Sequence, residues 1–175
     1  MKFRLIEDYK DDYLARTNRH IARVIKYGNK IGQDYSEHDK DKLNELFDAY
    51  ALMMKKDQFG GSDIKDNMAG VTPEEEKKID NATLIHVTTN RHHPEYWADE
   101  EIKEFSRANP QMGLHCQNMP YDAIDEMLCD WCAMSEEFGN TPQEWMEKVI
   151  PTRWIFSEEQ VKYMQDKLDE LWSLD

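Results

Sequence analysis

Residues 36–43 read SEHDKDKL, and this stretch places the pair His38-Asp39 at the start of a predicted helix whose N-cap is Ser36. Imidazole and carboxylate are side chains that hold Mn, Fe or Zn in proteins. A neighbouring His and Asp can bind metal together, with the carboxylate bridging two ions. The dipeptide alone is a weak signal, because many chains contain it by chance.

The rest of the chain follows the same helical pattern. Apolar residues recur at helical spacing, and caps, prolines and glycines mark the ends. The predicted helices cover about residues 7–30, from Ser36 to about residue 54, from Pro73 to the His92-His93 pair, from Pro120 to Gly139, from Pro142 to Pro151, and from Ser157 onward. The sequence predicts an all-α bundle of about six to seven helices. Residues 1–175 are expected to form one domain, with a site-bearing core at about 18–135 and C-terminal helices at 141–175 packed on it.

Composition narrows the classes of function. The chain has 175 residues, 39% hydrophobic and 33% charged, which is typical of a globular protein. Its net charge of −14 argues against binding to duplex nucleic acid, although bound metal ions can reverse the local field for a small phosphorylated substrate. No stretch is apolar enough for a membrane span, and the start MKFRLIEDYK lacks the core of a signal peptide, so we expect a cytoplasmic protein.

Two segments carry weaker signals. Cys129 and Cys132 form a C-x-x-C inside a helical pattern, and with an odd total of three cysteines we expect reduced, buried thiols rather than a redox or zinc site. Residues 56–72 are rich in glycine and charge, which predicts a loop. This loop is either a lid over a site or a mobile surface connection.

Other histidines and acids fall on the inward faces of the predicted helices. His20 lies one turn before Val24, His86 shares a face with Ile79, and Asp130 lies on an apolar stripe with Met127. A lone inward histidine is more often a core residue, and a buried carboxylate can be held by an ion pair with Arg or Lys. Together with His38-Asp39, however, these side chains are difficult to explain as packing. The pair His92-His93 is placed at a helix end by Pro94 and adds two imidazoles.

This set resembles the HD-domain superfamily of metal-dependent phosphohydrolases. The superfamily pattern is a His on one helix, His-Asp at the start of the next and an Asp on a later helix, which correspond here to His20, His38-Asp39 and Asp130. Members with two or more metals have additional histidines, which correspond to His86 and to His92 or His93. A Lys three residues after the His-Asp pair is common in the superfamily, and Lys42 stands there.

A narrower resemblance rests on the stretches EHDKDKL, TTNRHHPEYW and DAIDEMLCDW. They are similar to a phage and bacterial family of uncharacterised HD-like proteins with a domain-of-unknown-function label (DUF5662-like), over about residues 18–135. The resemblance implies an HD-like helical bundle and, if the chain is phage-encoded, a location in the host cytoplasm.

The expected chemistry is hydrolysis of a phosphate ester of a nucleotide or a small phosphorylated metabolite. One or two divalent ions, drawn from Mn, Fe, Mg, Zn, Ni and Co, would activate water between them. Asp39 is expected to be a catalytic residue as well as a metal ligand. We expect Lys42 and Arg91 to bind phosphate oxygens, and Glu126 to orient a ligand or carry a proton. Aromatic rings are available to stack on a base, namely Tyr96, Trp97 and Trp131.

Three other functions remain open at this point. The same ligand set is found in HD-fold proteins with a mixed-valence di-iron centre that oxidise substrates with O₂. The protein could instead be a non-catalytic module that binds a nucleotide or another protein, or a helical protein whose histidines are structural. A homo-oligomer is possible, because the C-terminal tryptophans could pack either in the core or at a subunit interface: Trp145, Trp154 and Trp172.

Overall fold

The structure, a computed structural model, describes residues 6–58 and 71–173 of the chain. It confirms the all-α bundle. The helices are α1 (Ile6–Lys30), α2 (Lys40–Leu43), α3 (Phe47–Ala51), α4 (Met53–Gln58), α5 (Pro73–Thr89), α6 (Tyr121–Phe138), α7 (Pro142–Val149) and α8 (Glu158–Trp172), with a 3-10 turn at Pro94–Trp97. Most of the predicted loop at 56–72, namely residues 59–70, lies outside the described residues.

A two-stranded parallel sheet joins the C-terminal part to the segment before α6. Its strands are β1 (Leu114–His115) and β2 (Trp154–Ile155), with Leu114 opposite Trp154. The helical pattern did not predict these strands, because two residues are too few for an alternation to be recognised.

Three helices begin with the predicted capping signals. In each, the cap hydroxyl oxygen accepts a hydrogen bond from the N–H of the third helical residue, and the side-chain oxygen of that residue accepts one from the cap N–H. These capping boxes pair Thr72 with Glu75, Thr141 with Glu144, and Ser157 with Gln160. The end of α6 at Gly139 is also as predicted, because this glycine adopts the left-handed conformation with φ 73°.

The second predicted helix is not continuous. Residues 36–54 were expected to form one helix capped by Ser36, but the structure divides this region into α2, α3 and α4. Ser36 instead lies in a turn where its N–H donates to Asp34 Oδ1 at 2.9 Å. The N-cap of α2 is Asp39, whose φ of 55° is left-handed, so the chain reaches α2 at an angle that a continuous helix cannot provide.

The core lies between α1, α6 and α8. Fully buried side chains of α6 and α8 meet along its length, including Ile124, Leu128, Met164 and Leu168. Cys129 and Cys132 are buried and free, as predicted, and burial raises the pKa of Cys132 to about 12.

Within residues 6–58 and 71–173, none of the helices combines the length and the apolar character needed to cross a bilayer.

The C-terminal tryptophans pack within the chain. Trp154 is buried and stacks on Trp131, with ring centroids 6.0 Å apart, while Trp145 meets Trp154 edge-on. Trp172 stacks on Tyr27 of α1. These three rings therefore join α7, β2 and α8 to the core.

Gly28 allows the chain after α1 to fold back closely. A Cβ at this position would lie 2.7 Å from the Tyr35 ring and 3.0 Å from the Gln33 carbonyl oxygen. The Gly28 carbonyl also accepts the Gln33 N–H at 2.9 Å. This close approach brings the turn that precedes His38 against α1.

We expect Gly28→Ala to destabilise the fold. In an unobstructed helix this change stabilises by about 0.5–1 kcal/mol, whereas overpacking here costs about 1–3 kcal/mol. Urea unfolding followed by circular dichroism would show a lower midpoint. The control is Asn29→Ala, at the next, exposed position of α1. A higher midpoint for Gly28→Ala would show that this contact does not constrain the turn.

Candidate metal centre

The structure brings all seven predicted metal ligands together. His20 comes from α1, His86 from α5 and Asp130 from α6, while the pairs His38-Asp39 and His92-His93 occupy the turns before α2 and after α5. His20, His38, Asp39, His86 and His92 are buried, and His93 and Asp130 are partly buried. The closest contacts include His20 Nε2 to Asp130 Oδ1 at 2.9 Å, and His86 Nε2 to His93 Nε2 at 2.9 Å.

The Asp39 carboxylate lies in the middle of the cluster. Its Oδ1 is 3.2 Å from His86 Nε2, 3.3 Å from His92 Nε2 and 3.5 Å from His38 Nε2. Its Oδ2 is 3.6 Å from His20 Nε2. Asp39 therefore belongs to two groups whose ligand atoms all lie within 4.8 Å of one another, and these groups are His20, His38 and Asp39, and Asp39, His86, His92 and His93.

Carboxylates behind the rings orient the imidazoles. His38 Nδ1 donates to Glu126 at 2.8 Å, and His86 Nδ1 donates to Asp41 at 2.7 Å. His92 Nδ1 lies 3.4 Å from the same Glu126 oxygen. Metal-binding histidines in proteins are held in this way, because a proton fixed on one nitrogen leaves the other free to ligate.

Glu126 thus lies behind two rings, where it can orient ligands. This geometry supports the first of the two roles considered for it, because His38 and His92 separate its carboxylate from Asp39.

The structure adds two residues that the sequence analysis missed, Asp41 and Asn90. The Asn90 amide donates to Asp41 at 2.7 Å. The sequence offered one signal for Asp41, its position two residues after Asp39, and none for Asn90.

Two buried polar atoms at the centre of the cluster have no hydrogen-bond partner among the described residues, namely Asp39 Oδ1 and His92 Nε2. They face each other at 3.3 Å. Since the Glu126 carboxylate favours the proton of His92 on Nδ1, the Nε2 lone pair points at a carboxylate oxygen. This arrangement is unfavourable without a cation and fits one. The residues therefore suit a metal site.

The carboxylates of the cluster are ionised. Burial alone would raise the pKa of Asp39, but His38 and Lys42 outweigh it and hold the pKa well below its usual range. The pKa of Asp130 is likewise well below its usual range, because hydrogen bonds from His20 and His38 outweigh burial. Both are therefore available as anionic ligands at neutral pH.

Three of the imidazoles, those of His38, His92 and His93, divide into two protonation states. Burial lowers the pKa of His92 and lowers that of His93 further, so both are neutral, as metal ligands must be. For His38, burial would lower the pKa, but Asp39, Asp130 and Glu126 raise it to about 10. His38 thus carries the positive charge that a bound cation would replace.

The two predicted phosphate-binding cations occupy different surroundings. Lys42 Nζ lies 2.7 Å from Asp39 Oδ2, and although burial would lower its pKa, the Asp39 carboxylate raises it. Arg91 is exposed, pairs with Asp122 at 3.2 Å and lies over the Trp97 ring. Within the described part of the chain, the structure therefore brings Lys42 but not Arg91 into the cluster.

A cavity of about 360 Å³ opens over the cluster. Its wall includes Lys42 and two arginines that the sequence analysis missed, Arg16 from α1 and Arg107 from the segment before β1. Arg107 lies far from the histidine motifs in sequence, whereas Arg16 lies one helical turn before His20, and this spacing could have suggested it. Of the aromatic residues considered for base stacking, Trp131 lines a second cavity beside this one, whereas Tyr96 and Trp97 line neither.

Comparison with known proteins identifies the family. Residues 9–171 match the sequence model of a family described as a family of unknown function (DUF5662). The chain belongs to this family. The match covers every ligand of the cluster and confirms the narrower resemblance. A search of curated proteins found no match. A search of solved structures found none either.

We expect the protein to bind divalent metal through Asp39. Chelator-treated protein reloaded with Mn²⁺, Fe²⁺ or Zn²⁺ should melt at a higher temperature, because binding at a hundred times Kd adds about 2.7 kcal/mol. Asp39→Asn should remove the shift, and asparagine tolerates the left-handed backbone. The control is His115→Ala, the exposed sixth histidine outside the cluster. Equal metal content in wild type and Asp39→Asn would contradict the site.

A second prediction concerns the orienting carboxylate. Glu126→Gln should weaken metal affinity by about 10- to 100-fold without abolishing it, because the rings lose the acceptor that fixes their tautomer. Competition with a fluorescent chelator measures the change. Asp122→Asn, on the exposed first turn of α6, is the matched control and should leave affinity unchanged. Loss of all binding in Glu126→Gln would instead indicate that Glu126 is itself a ligand.

Proposed function

We propose that this protein is a metal-dependent phosphohydrolase that acts on a nucleotide or a small phosphorylated metabolite. One observation carries the proposal: the Asp39 carboxylate is shared by two groups of imidazoles, directly beneath a cavity whose wall contains Arg16, Lys42 and Arg107. The resemblance of the His20, His38-Asp39 and Asp130 pattern to the HD superfamily supports it.

The donor set favours certain metals. His20, His38 and Asp39 would hold one ion, with Asp130 near, and Asp39, His86, His92 and His93 a second. Imidazole-rich sites suit Mn, Fe, Zn, Co or Ni better than Mg, which prefers oxygen ligands. Such ions supply Lewis-acid stabilisation of phosphate charge and lower the pKa of water toward neutrality.

The chain's own residues hold the substrate. Lys42 is protonated, because the Asp39 carboxylate raises its pKa, and its ammonium lines the cavity. It can neutralise a non-bridging phosphate oxygen as negative charge develops. Arg16 and Arg107 line the same cavity and provide further donors. The buried floor of histidines limits access of bulk water, which strengthens these interactions.

A di-iron oxygenase remains the second candidate, and the histidine-rich donor set favours it because imidazole binds iron well. The two functions differ in what the metals must do. An oxygenase requires a redox-active pair, whereas hydrolysis proceeds with Zn²⁺ or Mn²⁺. Iron content and electron paramagnetic resonance of protein purified without added metal separate them. A mixed-valence signal that decays with substrate and O₂ would favour the oxygenase.

We expect metal-dependent phosphate release from at least one member of a panel of nucleotides and sugar phosphates. Asp39→Asn should lower kcat/KM by a hundredfold or more, and Lys42→Met by roughly a hundredfold, since charge stabilisation in the transition state is lost. His115→Ala is the control and should match wild type. A malachite-green assay of chelated and reloaded protein measures the release.

Two results would contradict hydrolysis. One is phosphate release that persists after chelation or in Asp39→Asn. The other is metal-loaded protein that binds a nucleotide but releases no phosphate from any ester, which would favour the non-catalytic binding module.

A further inference from the structure

A second cavity adjoins the metal centre from the side of α7 and β2. Its volume is about 480 Å³, within the range of small-molecule sites. It shares part of its wall with the cavity over the cluster, including His93, Asp130, Met134 and Phe138. A molecule with its phosphate at the metal centre can therefore extend into this second cavity.

The two cavities differ in chemistry. The cavity over the cluster carries Arg16, Lys42 and Arg107, whereas the second cavity is lined largely by apolar atoms. Five aromatic rings contribute to the second cavity, namely Phe105, Trp131, Phe138, Trp145 and Trp154. One part thus suits a phosphate, and the other suits an uncharged group.

The arrangement of the rings favours a flat ligand. Trp131 and Trp154 are nearly parallel, with an interplanar angle of 13°, and Trp145 stands at 72° to Trp154. Because Trp131 and Trp154 stack on each other and are largely buried, they form a packed aromatic wall rather than a slot, and an aromatic guest would pack against this wall. Phe138 is 61% exposed, although it is a large hydrophobic residue, so a ring in the cavity would cover it.

Polar atoms form the smaller part of this cavity's surface, although its wall also includes the charged residues Glu144 and Lys148. The Arg153 guanidinium lies over Trp154 and pairs with Glu95 at 2.9 Å, so its charge is balanced. Ser135 and Asn140 also line the cavity and can hydrogen-bond to the edge of a ring. This pattern, apolar faces with a few polar groups, is typical of a pocket that fixes the orientation of a heteroaromatic or aryl group.

We propose that the second cavity binds an aromatic ring system of the substrate, with Phe138 and Trp145 as specificity-determining residues. This inference rests on the proposed function and narrows its substrate to phosphate esters that carry a flat ring. A nucleobase and a simple aryl group share the required chemistry. The phosphate remains at the metal centre, and the ring itself undergoes no reaction.

The kinetic test compares esters with and without a ring in metal-loaded protein. The ring-bearing esters are nucleoside monophosphates and 1-naphthyl phosphate, and the ringless ones are ribose 5-phosphate and glycerol 3-phosphate. We expect kcat/KM to be at least about tenfold higher with a ring, since stacking of a base is worth that much or more. A preference for nucleotides over naphthyl phosphate would identify a nucleobase, and the reverse an aryl group. Equal values for ringed and ringless esters would overturn the inference.

Two variants connect this preference to the cavity. Phe138→Ala and Trp145→Ala should each lower kcat/KM for ring-bearing esters by roughly tenfold more than for ringless esters, with metal content unchanged. Met112→Ala, a 56% exposed hydrophobic residue that does not line the cavity, is the matched control. Trp145→Phe should restore most of the activity that Trp145→Ala loses. Equal losses on both classes of ester would indicate a merely structural role and overturn the assignment.

A binding experiment separates failure of the cavity from failure of the hydrolase. Adenosine and 1-naphthol lack the phosphate, and their binding is followed by saturation-transfer NMR with wild type, Phe138→Ala and Trp145→Ala. Binding to wild type that both variants lose supports the ring site even if no ester is hydrolysed, in which case only the proposed function fails. Absence of binding to wild type overturns the inference, whatever the phosphatase assays show.

Discussion

Burial of the Asp39 carboxylate is the constraint around which the rest of the structure is arranged. The side chain is 1% exposed, and an ionised carboxylate in that position costs several kcal/mol unless charges of opposite sign surround it. Lys42 and the protonated His38 supply part of that charge. A further contact comes from His92, whose pKa is lowered by burial, and a neutral imidazole cannot compensate an anion. A cation between the rings and the carboxylate would supply further positive charge at this centre.

The backbone accepts strain to place that carboxylate. Among residues 6–58 and 71–173, Asp39 is the non-glycine residue with a positive φ. A left-handed conformation at such a residue costs on the order of 1 kcal/mol and persists only where the surroundings enforce it. Here α1 and α5 flank the turn, and Gly28 lets the preceding segment approach α1. The same bend separates residues 36–39 from α2, so this departure from the predicted helix and the candidate site have one cause. The later breaks, after Leu43 and after Ala51, lie away from the bend.

Much of the fold and of the ligand set could be predicted from local patterns. A cap residue followed by proline predicted the starts of α5 and α7, and a capping box predicted that of α8. Inward-facing periodicity identified His20, His86 and Asp130. What escaped prediction depends on contacts between distant segments. Asp41 and Asn90 act through a hydrogen bond to each other and to His86, and Arg16 and Arg107 meet only across the cavity. Arg91 is the opposite case. It adjoins His92 in sequence but lies outside the cluster, because adjacency in sequence does not determine where a long exposed side chain points.

The charge distribution bears on how an acidic chain would attract phosphate under the proposed function. The net charge of −14 repels an anion within a Debye length of the surface, about 8–10 Å at physiological salt. Near the centre, the four carboxylates of Asp39, Asp41, Glu126 and Asp130 oppose three cations, Lys42, His38 and Arg107. Arg16 is itself paired with Glu137 at 2.7 Å. The protein alone therefore does not make this cavity electropositive. Divalent ions held by the histidines would change the sign of the local field, so that metal loading and anion binding become a single linked event.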